Sequence, residues 1–374
     1  QIFKQLLMVS GFDKYMQIVK CFRDEDLRKD RQPEFTQIDI EMSFVGQEDI
    51  ISINEKYLKY LFKKVLDVDI KIPFNRLTYE DAINNYGSDK PDLRFDLKLI
   101  DVTTIAKKSK FNIFQDAESI KCIIVDKTFS RKEIDKLTSL IKIYKAKGLA
   151  YLPGTFDSGI SKFVENMKSD LINLGLKEGS SVFFVADKKE IVNESLGALR
   201  LELAKMLNLM SDEFKFCWVT DFPMFEFNEE NQKYVSIHHP FTMPNINKID
   251  DLNNDITKIP SIAYDITLNG TEIGGGSIRI HNQEIQSKIF ELLGISKEEA
   301  KEKFGFLLDA LSYGAPPHGG IAYGVDRLVM LMAKKDSIRE VIAFPKTKNA
   351  EDLMMDAPSE IKKEQLDEVG LNLK

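Results

Sequence analysis

The stretch CFRDEDLRKDRQPEFTQIDIEMSFV, residues 21–45, reads as a hairpin with a charged loop. The apolar run ending at Phe22 is a strand, the Pro-containing charged segment to Pro33 is the turn, and residues 35–45 form the returning strand. Period-2 alternation puts Thr36, Ile38, Ile40, Met42 and Phe44 on one face, and Phe35, Gln37, Asp39, Glu41 and Ser43 on the other. Gln37, Asp39 and Glu41 in a row, with Arg23 before the turn, suit a polar ligand carrying anionic groups. Taken by itself, the same face would serve as the solvated side of an edge hairpin.

Working outward, residues 262–281 hold a second hairpin. Asn269-Gly270 between two apolar-alternating runs is a type I′ turn signal. That register sets Leu268 opposite Thr271, Thr267 opposite Glu272 and Asp265 opposite Gly274. Asp265 and Glu272 then share a face as diagonal neighbours, roughly 7 Å apart at the backbone, a spacing that lets two carboxylates hold Mg²⁺. A solvated like-charge pair is the other reading. Gly274, Gly275 and Gly276 strip the strand of side chains, which marks close approach by a ligand or another backbone. By strict parity Arg279 faces away from Glu272, so it joins the same site only through a bulge at the glycine run.

A third stretch, GGIAYGVDRLVML from Gly319 to Leu331, reads as a strand to Val325 and a helix from Asp326. Arg327 then lies in the first helical turn, where a cation opposes the helix dipole unless an anion sits between them. A phosphate would meet both the arginine and the free N–H groups; a salt bridge to Asp326 or another surface acid is the alternative. There is no GxxxxGK[ST] loop and no GxGxxG after a strand, so the common nucleotide folds are unsupported. His238 and His239, before Pro240, read as ligand-facing groups or as ordinary surface histidines.

The remaining chain gives the setting. At 374 residues it can form two or three domains, and its 43% hydrophobic and 30% charged content is that of a globular protein. No apolar run approaches the ~18 residues that cross a membrane, so a cytoplasmic location without membrane contact is the default. Cys21, Cys122 and Cys217 have no paired spacing, which argues against a zinc site or disulfide framework. A net charge of −7 confines any contact with a polyanion to local basic patches.

Ile2, Phe3, Leu6 and Leu7 give a helical stripe ending at Gly11; the chain opens on Gln1 mid-pattern, as the interior of a longer chain would. Ile50, Ile53, Tyr57, Leu58, Leu61, Phe62 and Val65 mark another helix, and Thr78 caps a short one. Residues 93–212 change character, with short strands (122–125, 150–152, 182–186) among helices (131–145, 161–174, 195–209). They read as an inserted α+β domain between segments 1–92 and 213–374. Polar residues 245–260 read as a mobile loop.

These residues resemble the class II aminoacyl-tRNA synthetases, and among them the aspartate-specific enzymes of the bacterial type. Residues 21–45 are similar to that family's motif 2, GIAYGVDRLVML (320–331) to its motif 3, and YDITLNGTEIGGGSIRIH (264–281) and HHPFT (238–242) match as well. The resemblance covers the whole chain. It implies an α+β fold, with an antiparallel sheet flanked by helices and an α+β insert. It also implies the reaction: aspartate and ATP give aspartyl-adenylate, and the aspartyl group passes to the 3′ end of tRNA.

By resemblance, Arg23 binds the α-phosphate and the substrate carboxylate, and Asp24, Glu25 and Gln32 contact ATP. Asp265 and Glu272 hold Mg²⁺. Gly324, Val325, Asp326 and Arg327 form the phosphate end, with Arg327 on the γ-phosphate. Gln1, Lys4, Gln37, Asp39, His238 and Arg279 bind aspartate, Lys4 and Arg279 reading its side-chain carboxylate. The family's N-terminal anticodon-binding barrel and motif 1 precede the matching region, and motif 1 makes much of a homodimer interface. The closest rivals are the asparaginyl and lysyl enzymes; two cations in the side-chain pocket favour a carboxylate over an amide and repel lysine. A synthetase-like binding module without the chemistry is the other rival, against which stand the charged residues expected around ATP.

Overall fold

The computed structural model describes residues 1–24, 27–253 and 255–372. Helix α1 (Ile2–Val9) runs to Ser10 and Gly11, whose φ of +92° lets the chain reverse into the first hairpin. Strands β1 (Lys14–Phe22) and β2 (Glu34–Ser43) pair antiparallel from Lys14 opposite Met42 to Phe22 opposite Glu34. Helix α2 (Gln47–Leu66) follows, then β3 (Asn75–Thr78) and α3 (Tyr79–Tyr86). As expected, Thr78 caps α3, its Oγ1 accepting the Asp81 N–H at 3.0 Å.

The next stretch runs β4 (Ile100–Asp101), α4 (Thr103–Ala106), α5 (Asn112–Asp116), β5 (Ser119–Val125), α6 (Arg131–Lys142), β6 (Ala150–Pro153), α7 (Lys168–Asn173), β7 (Ser181–Asp187) and α8 (Lys189–Met206). The chain then returns through β8 (Phe216–Thr220), β9 (Phe225–Asn228), β10 (Lys233–Ser236), β11 (Ala263–Leu268) and β12 (Thr271–Ile278). Helices α9 (Gln283–Leu292) and α10 (Lys297–Ser312), strand β13 (His318–Gly324), α11 (Val325–Met332) and α12 (Lys363–Glu368) complete it.

A seven-stranded sheet in the order β1-β2-β13-β12-β11-β8-β3 organises the chain, antiparallel except where β3 runs parallel to β8. One face is dry: Ile38, Ile40, Met42, Ile266, Ile321 and Tyr323 pack under Ile50, Leu58 and Phe62 of α2 and Leu328 of α11. Those positions are the apolar half of the alternation, so the polar half of β2 is driven to the opposite, open face. A separate four-stranded sheet, β4-β5-β7-β6, has helices on both faces. The fold is therefore α+β, with a large antiparallel sheet flanked by helices. Among the described residues no helix is long and apolar enough to cross a membrane.

Several local expectations are corrected. Phe3 is 85% exposed, and α1 instead buries Lys4, Gln5 and Met8 toward β2 while Ile2 and Leu6 meet the cluster around Leu307. Ile53 and Val65 likewise face outward from α2. The stretch 161–174 is two 3-10 turns (Ser161–Phe163, Glu165–Met167) before α7, because tight turns tuck Val164, Met167 and Leu171 into one cluster. Helix α8 starts six residues ahead of 195, burying Val192 and Asn193. Within the stretch expected as a mobile loop, Leu252 and Ile259 are buried against Met224, Phe225 and Ile289.

Candidate active site

On the open face of the large sheet lies a cleft of about 520 Å³, walled by α1, β2, β11, β12, β13 and the loop after β1. Gln1, Lys4, Arg23, Gln37, Asp39 and His238 line it, and at its other end stand Asp265, Glu272, Gly324, Asp326 and Arg327. Residues more than 300 positions apart meet here because β13 inserts between β2 and β12.

The second hairpin has the expected turn, with φ of +52° at Asn269 and +78° at Gly270. Its register differs from the sequence reading: beyond Thr267–Glu272 the pairing slips, so Ile266 meets Gly274 and Asp265 meets Gly275. Ile273 is the extra residue of a β-bulge just before the glycines. The slip brings Arg279 onto the face of Glu272 and puts bare Gly275 opposite Asp265. A Cβ on Gly275 would run into Asp265 Oδ1 and stand 3.8 Å from Glu272 Oε1. Both carboxylates converge over that glycine.

Burial in the cleft and the charge of Asp265 raise the Glu272 carboxyl above its ordinary value, against the pull of Arg327. Two hard oxygen donors fit Mg²⁺ carried by a nucleotide, whose phosphate oxygens and water fill the remaining positions. Among the described residues no group of three or more His, Cys, Asp or Glu forms a closed metal cage.

At this end, Arg327 occupies the first turn of α11 with its Nη2 3.3 Å from Asp30 Oδ2 and its Nη1 3.6 Å from Glu272 Oε2. Its Nε donates to the Asp30 carbonyl and its Nη1 to the Glu272 carbonyl, at 3.1 and 3.0 Å. The acid beside it is therefore not Asp326, whose Oδ2 accepts the Thr36 N–H at 2.7 Å and ties α11 to β2. Arg23 lies over the Phe35 ring at 5.0 Å, a flat cation and a flat aromatic face on one wall.

At the opposite end a chamber of about 120 Å³ is lined by Gln1, Lys4, His238, His239 and Arg279. Lys4 Nζ stands 2.7 Å from Asp39 Oδ1 and 3.4 Å from Glu41 Oε2. Arg279 donates from Nε and Nη2 to the two oxygens of Glu41 and from Nη1 to Ser277 Oγ at 2.6 Å. Its Nη1 also lies 2.8 Å from His239 Nε2.

Burial opposes ionisation of Glu41, yet the Arg279 guanidinium and Lys4 outweigh it and hold the carboxyl below its ordinary value. Burial, with the charge of Arg279, pushes His239 well below the usual histidine range, so the ring is neutral. Its Nδ1 accepts the Phe241 backbone N–H at 3.2 Å and lies 3.3 Å from Thr242 Oγ1. His238 Nε2 is 3.4 Å from Asp265 Oδ1, while its Nδ1 is buried with no partner.

This corrects the charge argument made from sequence. Lys4 and Arg279 are each paired with a carboxylate, so the chamber is balanced in charge and offers the donor hydrogens these pairs leave over. Gln32 lines the cleft and also makes a structural tie: its side chain is 2% exposed, and its amide oxygen accepts the Lys346 N–H at 2.7 Å, which joins the hairpin loop to the C-terminal segment. Gln37 accepts the Cys21 S–H at 3.3 Å. Among the described residues neither Asp24, exposed beyond β1, nor Val325, whose successor Asp326 faces the space, lines the cleft. Glu25 lies outside the described residues. Asp30 and Asp89 also line the cleft and carried no sequence signal, whereas Phe35 and Glu41 fall on the same alternating face as Gln37 and Asp39.

The chain matches, over residues 1–348, the family described as tRNA synthetases class II (D, K and N). It belongs to that family. It is 53% identical to an aspartate–tRNA(Asp/Asn) ligase of Caldanaerobacter subterraneus and 54% identical to an aspartate–tRNA ligase of Macrococcus caseolyticus. Each alignment takes in 100% of this chain and 65% of the relative, so the chain spans about 65% of the length of the curated relatives it matches. Among solved structures it is similar to an aspartyl tRNA synthetase from Entamoeba histolytica, at 18% identity and a TM-score of 0.47 over 91% of this chain and 50% of that one. In this class II synthetase chain the motif 2 resemblance falls on β1–β2 and the motif 3 resemblance on β13–α11.

Proposed function

We infer that this chain carries the amino-acid-activating centre of an aspartate–tRNA ligase, which joins L-aspartate to ATP as aspartyl-adenylate and passes the aspartyl group to tRNA. The observation that carries this reading is a single cleft with two chemically distinct ends. A chamber of two buried cations in carboxylate pairs adjoins a phosphate end built on Asp265, Glu272 and Arg327. The relatives bear that ligase name, and the family's D, K and N members would meet different fates here. A lysine ammonium, a donor with no acceptor, would meet the N–H groups that Lys4 and Arg279 retain. An asparagine amide would present N–H groups to the N–H groups those residues retain.

In this reading Arg23 and Arg327 bind polyphosphate, Arg327 exchanging Asp30 for the more strongly charged γ-phosphate, and Phe35 offers a stacking face to the base. Asp265 and Glu272 would hold Mg²⁺, which when bound neutralises charge on the phosphates. Lys4 and Arg279 take the side-chain carboxylate; Gln1, Gln37, Asp39 and His238, whose Nδ1 lacks a partner, surround the α-carbon groups. The protein aligns the α-carboxylate with the α-phosphate and supplies no nucleophile of its own. Residues 1–92 and 213–374 form the catalytic unit and 93–212 the insert; the full-length protein works in the cytoplasm as a homodimer with tRNA as its partner.

Oxygen transfer tests the reaction. Aspartate labelled with ¹⁸O in its α-carboxylate, incubated with full-length protein, ATP, Mg²⁺ and tRNA, should yield AMP carrying one labelled oxygen. Unlabelled AMP, or none, would contradict the reading.

A further inference from the structure

Helix α8 of the smaller sheet's layer touches one loop of the cleft backbone to backbone. Asn193, Gly197 and Arg200 lie three and four residues apart and so form one stripe, all buried. Gly87 ends α3 with φ of +69°; a Cβ there would strike the Asn193 carbonyl and stand 2.8 Å from Gly197 Cα. A Cβ on Gly197 would lie 2.6 Å from the Gly87 carbonyl oxygen. No side chain fits between the two segments.

The contact is locked on both sides. Arg200 Nη2 donates to the carbonyls of Asp92 and Phe95 at 2.9 and 3.0 Å, its Nε donates to the Leu97 carbonyl, and its guanidinium covers the Phe95 ring at 3.9 Å. Lys121 Nζ joins Asn84 to α8, donating to the Asn84 carbonyl and to Asn193 Oδ1 at 3.0 and 2.9 Å. On the far side, a Cβ on Gly270, in the β11–β12 turn, would sit 3.0 Å from Asp92 Cβ.

The segment 88–91 is thus held between α8 and the hairpin that carries Asp265 and Glu272. Its Asp89 lines the cleft.

We propose that α8 positions the nucleotide end of the cleft: through Gly197 and Arg200 it fixes the Gly87–Pro91 loop so that the Asp89 carboxylate faces the hydrated cation of a Mg²⁺–nucleotide at Asp265 and Glu272. This rests on reading the cleft as an ATP site. Asp89 reaches the cation through its water shell, and Gly197 and Arg200 are positioning residues acting through the loop.

The test uses full-length protein and titration calorimetry of ATP at several Mg²⁺ concentrations, with aspartate titrated separately. Asp89→Asn, an exposed change that leaves the fold intact, should weaken ATP binding roughly ten-fold and raise the Mg²⁺ needed for half-maximal binding, with aspartate affinity unchanged. Asp89→Glu should restore most of it. Gly197→Ala should show the same split, and adding Asp89→Asn to it should cost little more. Unchanged ATP affinity in Asp89→Asn at every Mg²⁺ concentration, or equal losses for ATP and aspartate in Gly197→Ala, would overturn the proposal. Failure of the unsubstituted protein to bind ATP would instead overturn the reading of the site.

Discussion

Arg279 and Glu41 form a two-pronged ion pair at 2.9 and 3.0 Å, with side chains 2% and 0% exposed. A pair this dry forms only where both groups are placed by packing, and β2, β12 and β13 together place it. Removing one partner leaves the other charge buried and alone. Glu41→Gln should therefore destabilise the fold by about 3–5 kcal/mol, read in chemical denaturation. The Glu41 carboxyl is held below its ordinary 4.5, so its contribution is complete above that value and fades as pH falls below it. The stability gap between parent and variant should shrink on acidification below pH 4.5; a constant gap would contradict the assignment.

Lys4 stands between Asp39 and Glu41 with one ammonium hydrogen left for a ligand. Lys4→Met should raise the aspartate KM roughly ten- to a hundred-fold, the worth of a charge-assisted hydrogen bond. The ATP KM should stay within about two-fold. Equal rises in both would mean that Lys4 supports the fold rather than the aspartate chamber.

Glu272 carries an opposite pH signature. Its carboxyl is raised by burial and by Asp265, so it disfavours the charged folded state, and its cost appears as pH rises through the raised value. Without nucleotide, Glu272→Gln should gain about 1–2 °C in Tm at neutral pH and nothing at pH 4, while exchange of pyrophosphate into ATP is lost. A Tm gain that persists at pH 4 would point to packing instead of charge.

Gln32 is a clamp, accepting the Lys346 N–H at 2.7 Å. Gln32→Ala should strand that buried amide at about 1–3 kcal/mol. Hydrogen exchange at residue 346 should accelerate while residues 120–125 in the smaller sheet stay protected. Unchanged exchange at 346 would remove the clamp from the account.

Much of the site was legible because its signals are local. Alternation along β2 separated Ile38, Ile40 and Met42 from Gln37, Asp39 and Glu41, and burial against α2 enforced that division. Asn269-Gly270 fixed its turn through positive φ at both positions. The need for a bulge was legible from the parity of Glu272 and Arg279, but its place at Ile273 was not, because the slip is settled by β13 pairing along β12, a partner some 45 residues on. Phe3 misled because α1 read as an apolar helix, whereas its packing turns Lys4 inward to meet Asp39. The pairing of Arg279 with Glu41 and the link from Gly87 to Gly197 join positions far apart in sequence, with no periodicity to connect them.

Amino-acid-dependent exchange of pyrophosphate into ATP by the full-length protein is the most direct measurement, run with aspartate, asparagine and lysine in turn. Exchange with aspartate alone, lost in Glu272→Gln, is the expected result. Exchange with asparagine or lysine, or none with any of the three, would contradict the aspartate-activating site described above.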